Sequence, residues 1–323
     1  MAKSKVSREE RMSEIQEKLF AGIKEIYESG KWAEYISVMS KFPNYSINNC
    51  ILIASQCPQA SYVCGYKKWE EFNRNVVKGA TGIMIIAPVK RKVDVEEPKY
   101  DADNHPVLNA DGTQSTETVT REFNSFRPCY VFDLSQTEGE PLPSLVNHLE
   151  DSVEEFEKLK EVLIAVSPVP ISFEEVPGDA NGFFSPSEMR IVIQEGMPEL
   201  QTIKTMIHEI GHATLKHGSK EDKWDRETKE VQAESVAYWV TQMLNGPDGK
   251  LDTSDYSFGY IAGWSKDKEM SELKENLELI KNTANELVSK IDAELLRRTQ
   301  EQSVDVAAVP EEAAVVSPKR KSR

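Results

Sequence analysis

"HEIGHATLKH", residues 208–217, sets two histidines four apart with a glutamate directly after the first. On an α-helix that spacing is about one turn, so His208 and His212 share a face and can aim their imidazoles at one point. Glu209 is rotated by roughly 100° from His208. It flanks that point instead of entering it. Ile203, Met206, Ile207 and Ile210 make the same helix apolar over much of its surface, which predicts burial. A buried helix carrying two imidazoles must satisfy them, either as hydrogen-bonded core groups or as metal ligands. The H-E-x-x-H spacing favours zinc, with Glu209 as the catalytic base standing beside it.

A hydrolytic zinc site uses three protein ligands, and two histidines leave it one short. "EVQAES", residues 230–235, offers Glu230 and Glu234, again four apart on one helix face, with the small Ala233 between them where two helices could approach closely. Paired buried carboxylates repel unless a cation compensates them. On this reading Glu230 is the third ligand and Glu234 accepts the free N–H of a ligand histidine, fixing its tautomer. Glu234 or Glu227 in the ligand position are the alternatives. His217, five residues after His212, is expected on another side of the helix and stays out of the metal set. Three ligands and one open position would let zinc lower the pKa of water toward about 7, with Glu209 taking the proton. The stretch "EMRIVI", 188–193, is expected to line the cleft and pair with an extended peptide, and Tyr256 and Tyr260 are candidates for stabilising an oxyanion.

The rest of the chain bounds what such a site is attached to. At 323 residues it is long enough for two domains with separate cores. It contains no run of 18 apolar residues and its charged N-terminus lacks the apolar centre of a secretory signal, so the expectation is a cytoplasmic protein without a membrane span. Cys50, Cys57, Cys64 and Cys129 form no C-x-x-C pair and read as buried free thiols. The net charge of −15 is uneven: residues 1–136 hold 18 basic and 18 acidic side chains, so the excess acid lies entirely beyond them. Between Lys67 and Lys92 seven basic residues face only Glu70 and Glu71, a local positive patch in a chain whose average charge repels nucleic acid.

Periodicity predicts helices over 7–29, 32–39 and the stretch "NYSINNCILIASQC". "GIMIIAPVKRKVDV" and "RPCYVFDL" then read as two strands, separated by a polar, mobile excursion whose Asp111-Gly112 marks a hairpin tip. Gly, Pro and acidic residues at 135–144 suggest a domain boundary. Beyond it come a helix near 145–166, strands at "PISFEEV" and "GFFSPSEMRIVI", the histidine helix from Pro198 to just before Gly218, and an amphipathic helix closing at Asn245. Met270, Leu273, Leu277, Ile280, Ala284, Leu287 and Ile291 then predict one long core-packed helix. The expected domains are 1–138 and 145–295, with a disordered tail over 299–323.

HEIGH followed by EVQAE resembles the gluzincin-like peptidases, in which H-E-x-x-H is followed by E-x-x-A-[DE], and HEIGHATLKH is similar to the ImmA/IrrE peptidases of mobile elements. In the first half, "YSINNCILIA", "GYKKWEEFNRNVVKGATGIMIIAP" and "YVFDLSQTEG" resemble, in order and spacing, the N-terminal domain of ArdC-type antirestriction proteins, and "YSFGYIAGWSKD" fits the same family's C-terminal pattern. The resemblance spans about residues 10–290 and implies an α+β chain: a mixed helix and small-sheet domain that binds single-stranded DNA, then a zincin-like domain whose active-site helix packs on a small antiparallel-edged sheet. It also implies DNA contacts at Tyr45, Asn48, Lys67, Trp69, Lys78 and Lys90. The residues themselves point the same way, since Tyr66, Trp69 and Phe72 interleave with the basic segment and could stack on bases. Two departures are the acidic insertion at 94–122 and the acidic second half. The expected partners are single-stranded DNA and a protein substrate. The competing readings are an ImmA-like peptidase that cleaves a repressor and a DNA-binding protein with a silent peptidase domain.

Overall fold

Two compact units share the chain: Met1–Leu145 with Phe258–Leu277, and Val146–Ser257 with Glu278–Arg323. The computed structural model describes residues 7–28, 30–101, 103–142, 153–245, 264–266 and 268–307.

In the first unit, helices α1 (Arg8–Glu28), α2 (Trp32–Ser40) and α3 (Ile47–Gln56) are followed by strand β1 (Val63–Cys64), helix α4 (Tyr66–Glu71) and strand β2 (Arg74–Val76). Strands β3 (Ile83–Pro98) and β4 (Thr116–Asp133) then form a hairpin, and β5 (Thr137–Gly139) pairs with β2. The sheet order is β1-β4-β3. Ile15, Ile23 and Ile26 of α1, Trp32, Ile36 and Met39 of α2, and Ile51, Leu52 and Ile53 of α3 are buried with Ile83, Ile85 and Val131 at the root of the hairpin. Ser46 caps α3 through its side chain, accepting from the Asn49 backbone N–H.

Helix α3 also closes the open edge of β3. Asn49 Nδ2 donates to Ile86 O at 2.9 Å while Ile86 N donates back to Asn49 Oδ1 at 3.0 Å. Gln56 does the same with Met84, at 2.9 Å and 3.1 Å. A side-chain amide has one donor face and one acceptor, as a peptide group does, so the two amides occupy backbone groups that another strand would take.

The hairpin is much longer than the sequence suggested. β3 and β4 pair without a bulge from Ile83↔Val131 to Pro98↔Thr116, about 50 Å of ladder at the usual rise per residue. Beyond the ladder the polar stretch expected as a mobile excursion folds into two small hairpins, closed by the isolated bridges Tyr100↔Pro106 and Leu108↔Gln114, with Gly112 at positive φ in the turn of the second. Its distal half is held by cross-strand polar pairs, Arg121 to Glu97 at 2.7 Å through two nitrogens and Thr120 to Asp94 at 2.7 Å.

The second unit holds helix α5 (Val153–Val166), strands β6 (Ile171–Glu174), β7 (Gly182–Ser185) and β8 (Arg190–Gln194), and helices α6 (Glu199–Thr214) and α7 (Arg226–Asn245). Its sheet order is β6-β8-β7, with β6 parallel and β7 antiparallel to the central β8. The fold is therefore α+β, with an antiparallel edge strand. α6 buries Ile203, Met206, Ile207 and Ile210, and α7 buries Val231, Ala233, Val236, Ala237, Trp239 and Val240 on nearly every side, so it is a core helix and not the amphipathic one expected. Gly211 of α6 brings the two helices close: a Cβ there would lie 3.6 Å from Ala233 O.

Helix α8 (Met270–Ala307) begins in the first unit and continues in the second. Leu273, Leu277, Ile280, Ala284, Leu287 and Ile291 are all buried. The helix runs nine residues into the segment expected as a disordered tail, whose remainder, 308–323, lies outside the described residues. Phe258–Leu277 groups with the first unit, although the sequence suggested a second domain running unbroken over 145–295.

Candidate functional site

α6 presents His208 and His212 from consecutive turns, with their Nε2 atoms 3.1 Å apart. α7 brings Glu230 Oε2 to 3.7 Å from each of them. A triangle with these sides has one point about 2.0 Å from all three atoms, the length of a zinc–nitrogen or zinc–oxygen bond. These three residues form one of the two clusters able to hold a metal ion among the described residues; the other, Asp101, Asp103 and His105, is exposed at the hairpin tip. Glu227 is not in the cluster.

The outer nitrogens are engaged as well. His208 Nδ1 lies 3.1 Å from Glu234 Oε2. His212 Nδ1 lies 2.8 Å from His217 Nδ1, and His217 Nε2 lies 2.9 Å from Gln232 Oε1. Sequence spacing missed His217 because it assumed that the helix continued. α6 stops at Thr214, Lys216 takes a positive φ, and the turn folds His217 back onto His212. Gly218 completes the reversal at φ +77°, where a Cβ would sit 2.6 Å from Pro186 Cγ.

Burial and charge set the protonation of the site. Burial pushes His208 down, but the ion pairs with Glu230 and Glu234 outweigh it and carry it up to about 10. Glu230 moves well below the usual carboxylate range because both histidines face it. His217 falls to about 4, chiefly by burial. The buried Glu209 carboxyl is raised by burial, partly offset by His208, His212 and a hydrogen bond from the Phe184 backbone.

These groups line a cleft of about 690 Å³ with Gly182, Phe183 and Phe184 of β7 on one side. The strand expected there, "EMRIVI", forms the central β8, and the edge strand lining the cleft is β7. Tyr256 and Tyr260 lie outside the described residues.

In the first unit the expected DNA contacts separate by exposure into three groups. Lys67, Lys78 and Lys90 are exposed, although Lys90 lies 3.7 Å from Glu122. Tyr45 is half-buried with its hydroxyl donating to Val63 O, and Asn48 is half-buried with an Oδ1 that accepts no hydrogen bond from the described residues. Trp69 does not fit the expectation: it is 0% exposed and its Nε1 donates to Phe132 O at 3.0 Å, so it is a core residue. The exposed rings are elsewhere. Phe126 (53%) and Tyr130 (44%) point to the same side of β4 as Phe132, and Tyr66 (50%) packs edge-on against Phe132 at 6.3 Å. Gly82 lies beneath Tyr130 and Phe132, where a Cβ would meet both at 3.1–3.3 Å. The even-numbered aromatics of "EFNSFRPCYVF" carried this signal as a period of two.

Comparison with known proteins matches residues 5–132 to the family described as the N-terminal domain of anti-restriction factor ArdC. This stretch is an ArdC-type N-terminal domain. Residues 127–233 match a second family, described as "Putative metallopeptidase family". An uncharacterized protein of Bacillus anthracis is 26% identical over 333 residues, covering 93% of this chain. The chain spans about half the length, 55%, of that curated relative. Crystal structures of the antirestriction ArdC protein from plasmid R388 are similar at 19% identity (metal-free, TM-score 0.42, 81% of this chain and 86% of that one) and 16% (Mn(II)-bound, TM-score 0.49, 87% and 97%). No helix among the described residues is long and apolar enough to cross a membrane, and all four cysteines are free thiols.

Proposed function

We propose that this ArdC-type chain is a zinc-dependent peptidase joined to a single-stranded DNA-binding domain, acting in the cytoplasm in antirestriction or in protecting DNA transferred by a mobile element. The observation that carries the peptidase half is the convergence of His208 Nε2, His212 Nε2 and Glu230 Oε2 on one point beside the buried Glu209. Two imidazoles and a carboxylate form a donor set suited to zinc among divalent cations. When bound, zinc supplies Lewis acidity toward water and toward a peptide carbonyl.

The chain's own groups complete the chemistry. The Glu209 carboxylate takes a proton from water and passes it to the amine of the leaving segment, and a pKa raised by burial makes it the stronger base for the first transfer. The Phe184 backbone N–H holds Glu209 in place from the edge strand. The edge position of β7 allows an extended substrate to lie along it across the cleft. Zinc content and peptide cleavage measured on the same samples test this half. Glu230→Ala should lose stoichiometric zinc, and Glu209→Gln should keep zinc and lose cleavage by at least about 100-fold. A wild-type protein that binds no zinc would sink the assignment. Cleavage that survives Glu209→Gln would remove Glu209 from its role.

The DNA half is supported by the exposed rings of Phe126, Tyr130 and Tyr66 and by the exposed cations Lys67, Lys78 and Lys90 of the same unit. Flat rings on an open sheet face stack on unpaired bases, which a closed duplex does not offer, while the lysines pair with phosphates. Binding to oligonucleotides should fall with salt and favour single strands over duplex, and reversing the three lysines should flatten the salt dependence. Equal binding to duplex and single strand would refute the stacking surface.

A further inference from the structure

We propose that Gln232 and His217 form a directional hydrogen-bond relay that decides which ring nitrogen of His212 carries its hydrogen, leaving Nε2 bare toward the metal position before any cation arrives. The inference rests on the metal centre proposed above and assigns two positioning residues to it.

The direction follows from counting hydrogens. Gln232 turns its carbonyl Oε1 to His217 Nε2 at 2.9 Å, and a carbonyl only accepts, so the hydrogen is on His217 Nε2. A neutral imidazole carries one N–H, which makes His217 Nδ1 an acceptor. The contact of 2.8 Å between His217 Nδ1 and His212 Nδ1 then needs the hydrogen on His212. His212 Nε2 is left with a lone pair, aimed at His208 Nε2 and Glu230 Oε2. Turning the Gln232 amide over reverses every step and puts a hydrogen on His212 Nε2, inside the donor triangle.

The inner part of the relay is buried, with His217 4% and Gln232 0% exposed. Its geometry is over-determined by the backbone, since His217 N donates to His212 O at 3.0 Å across the turn made by Lys216 and Gly218. The two ligand histidines are thus oriented by different chemistry. His208 has a carboxylate, Glu234, behind it, whereas His212 has an uncharged chain, so its orientation adds no further negative charge to a site that already holds Glu209, Glu230 and Glu234.

The experiment uses the full chain. Long-range proton–nitrogen NMR on histidine-labelled, metal-free protein reads the His212 tautomer directly, and the hydrogen should be on Nδ1. Zinc affinity by chelator competition is then compared across variants. Gln232→Met and His217→Phe should each weaken zinc by about 10–100-fold and mix the His212 tautomers. Gln232→Glu, which keeps an acceptor at the root of the relay, should stay within a few-fold of wild type. A hydrogen on His212 Nε2 in the wild-type protein overturns the relay, however the variants fold. Wild-type zinc affinity in both Gln232→Met and His217→Phe also overturns it. A wild-type protein that binds no zinc is a different failure, because it removes the metal centre itself.

Discussion

Raising the pH from 6 to 9 should tighten zinc binding by about tenfold per unit, because in the metal-free protein a proton holds the place of the cation. Two Nε2 atoms 3.1 Å apart need a hydrogen between them, and the ion pairs with Glu230 and Glu234 keep His208 protonated up to about 10. A cation entering the triangle must expel that proton. At pH 7 the gap to about 10 is three units, which costs zinc binding about 4 kcal/mol, roughly a thousandfold in affinity. The stability of the metal-free protein follows with a definite sign. A folded-state pKa raised from 6.5 to about 10 contributes stability that is complete below about 6.5 and is lost as pH rises through about 10. The Tm of metal-free protein should therefore drop across that window, while the zinc-loaded protein lacks this loss. Calorimetric titration of zinc in two buffers of different ionisation enthalpy counts the protons released, and close to one per zinc is expected at pH 7. An affinity that is flat from pH 6 to 9 with no proton release would refute the proton-bridged triangle.

Trp69→Ala should destabilise the first unit by about 3–5 kcal/mol in chemical denaturation, as expected for a fully buried indole. Tyr130→Ala should instead leave the denaturation midpoint nearly unchanged and weaken oligonucleotide binding by about 1–3 kcal/mol, the worth of one stacked base. If Trp69→Ala affected only DNA binding, the placement of the indole in the core would be wrong. Gly218→Ala forces a Cβ onto Pro186 at a positive φ and should cost more than about 1 kcal/mol, read as a fall in Tm. An unchanged Tm would mean that the turn carrying His217 can relax.

Local patterns made the candidate metal cluster legible. His208, Glu209 and His212 lie within one turn and a half of helix, as do Glu230 and Glu234, so a 3.6-residue period was enough to sort their faces. His217 was harder to read because its position depends on where α6 stops, and Lys216, a residue with no preference for positive φ, makes that turn. Trp69 looks from its neighbours Lys67 and Lys68 like a surface aromatic, and only the pairing of its Nε1 with Phe132, 63 residues away, reveals the core. The distal hairpin gave little apolar alternation because both of its faces are exposed. Its strands are matched across the ladder by charge and hydroxyl pairs, which a single strand does not display.

The amides of Asn49 and Gln56 at the edge of β3 have a reach that their own size does not suggest. Because they grip Met84 and Ile86, two residues apart on one strand, they fix the phase of β3 against α3, at the foot of a ladder that continues unbroken to Pro98↔Thr116. A slip of one residue in that phase inverts every side chain beyond it. Two side chains on a helix thus act as the zero mark of a ruler some 50 Å long: they decide at its foot which way Lys90 faces, and the pairing with β4 then puts Phe126 and Tyr130 on that side.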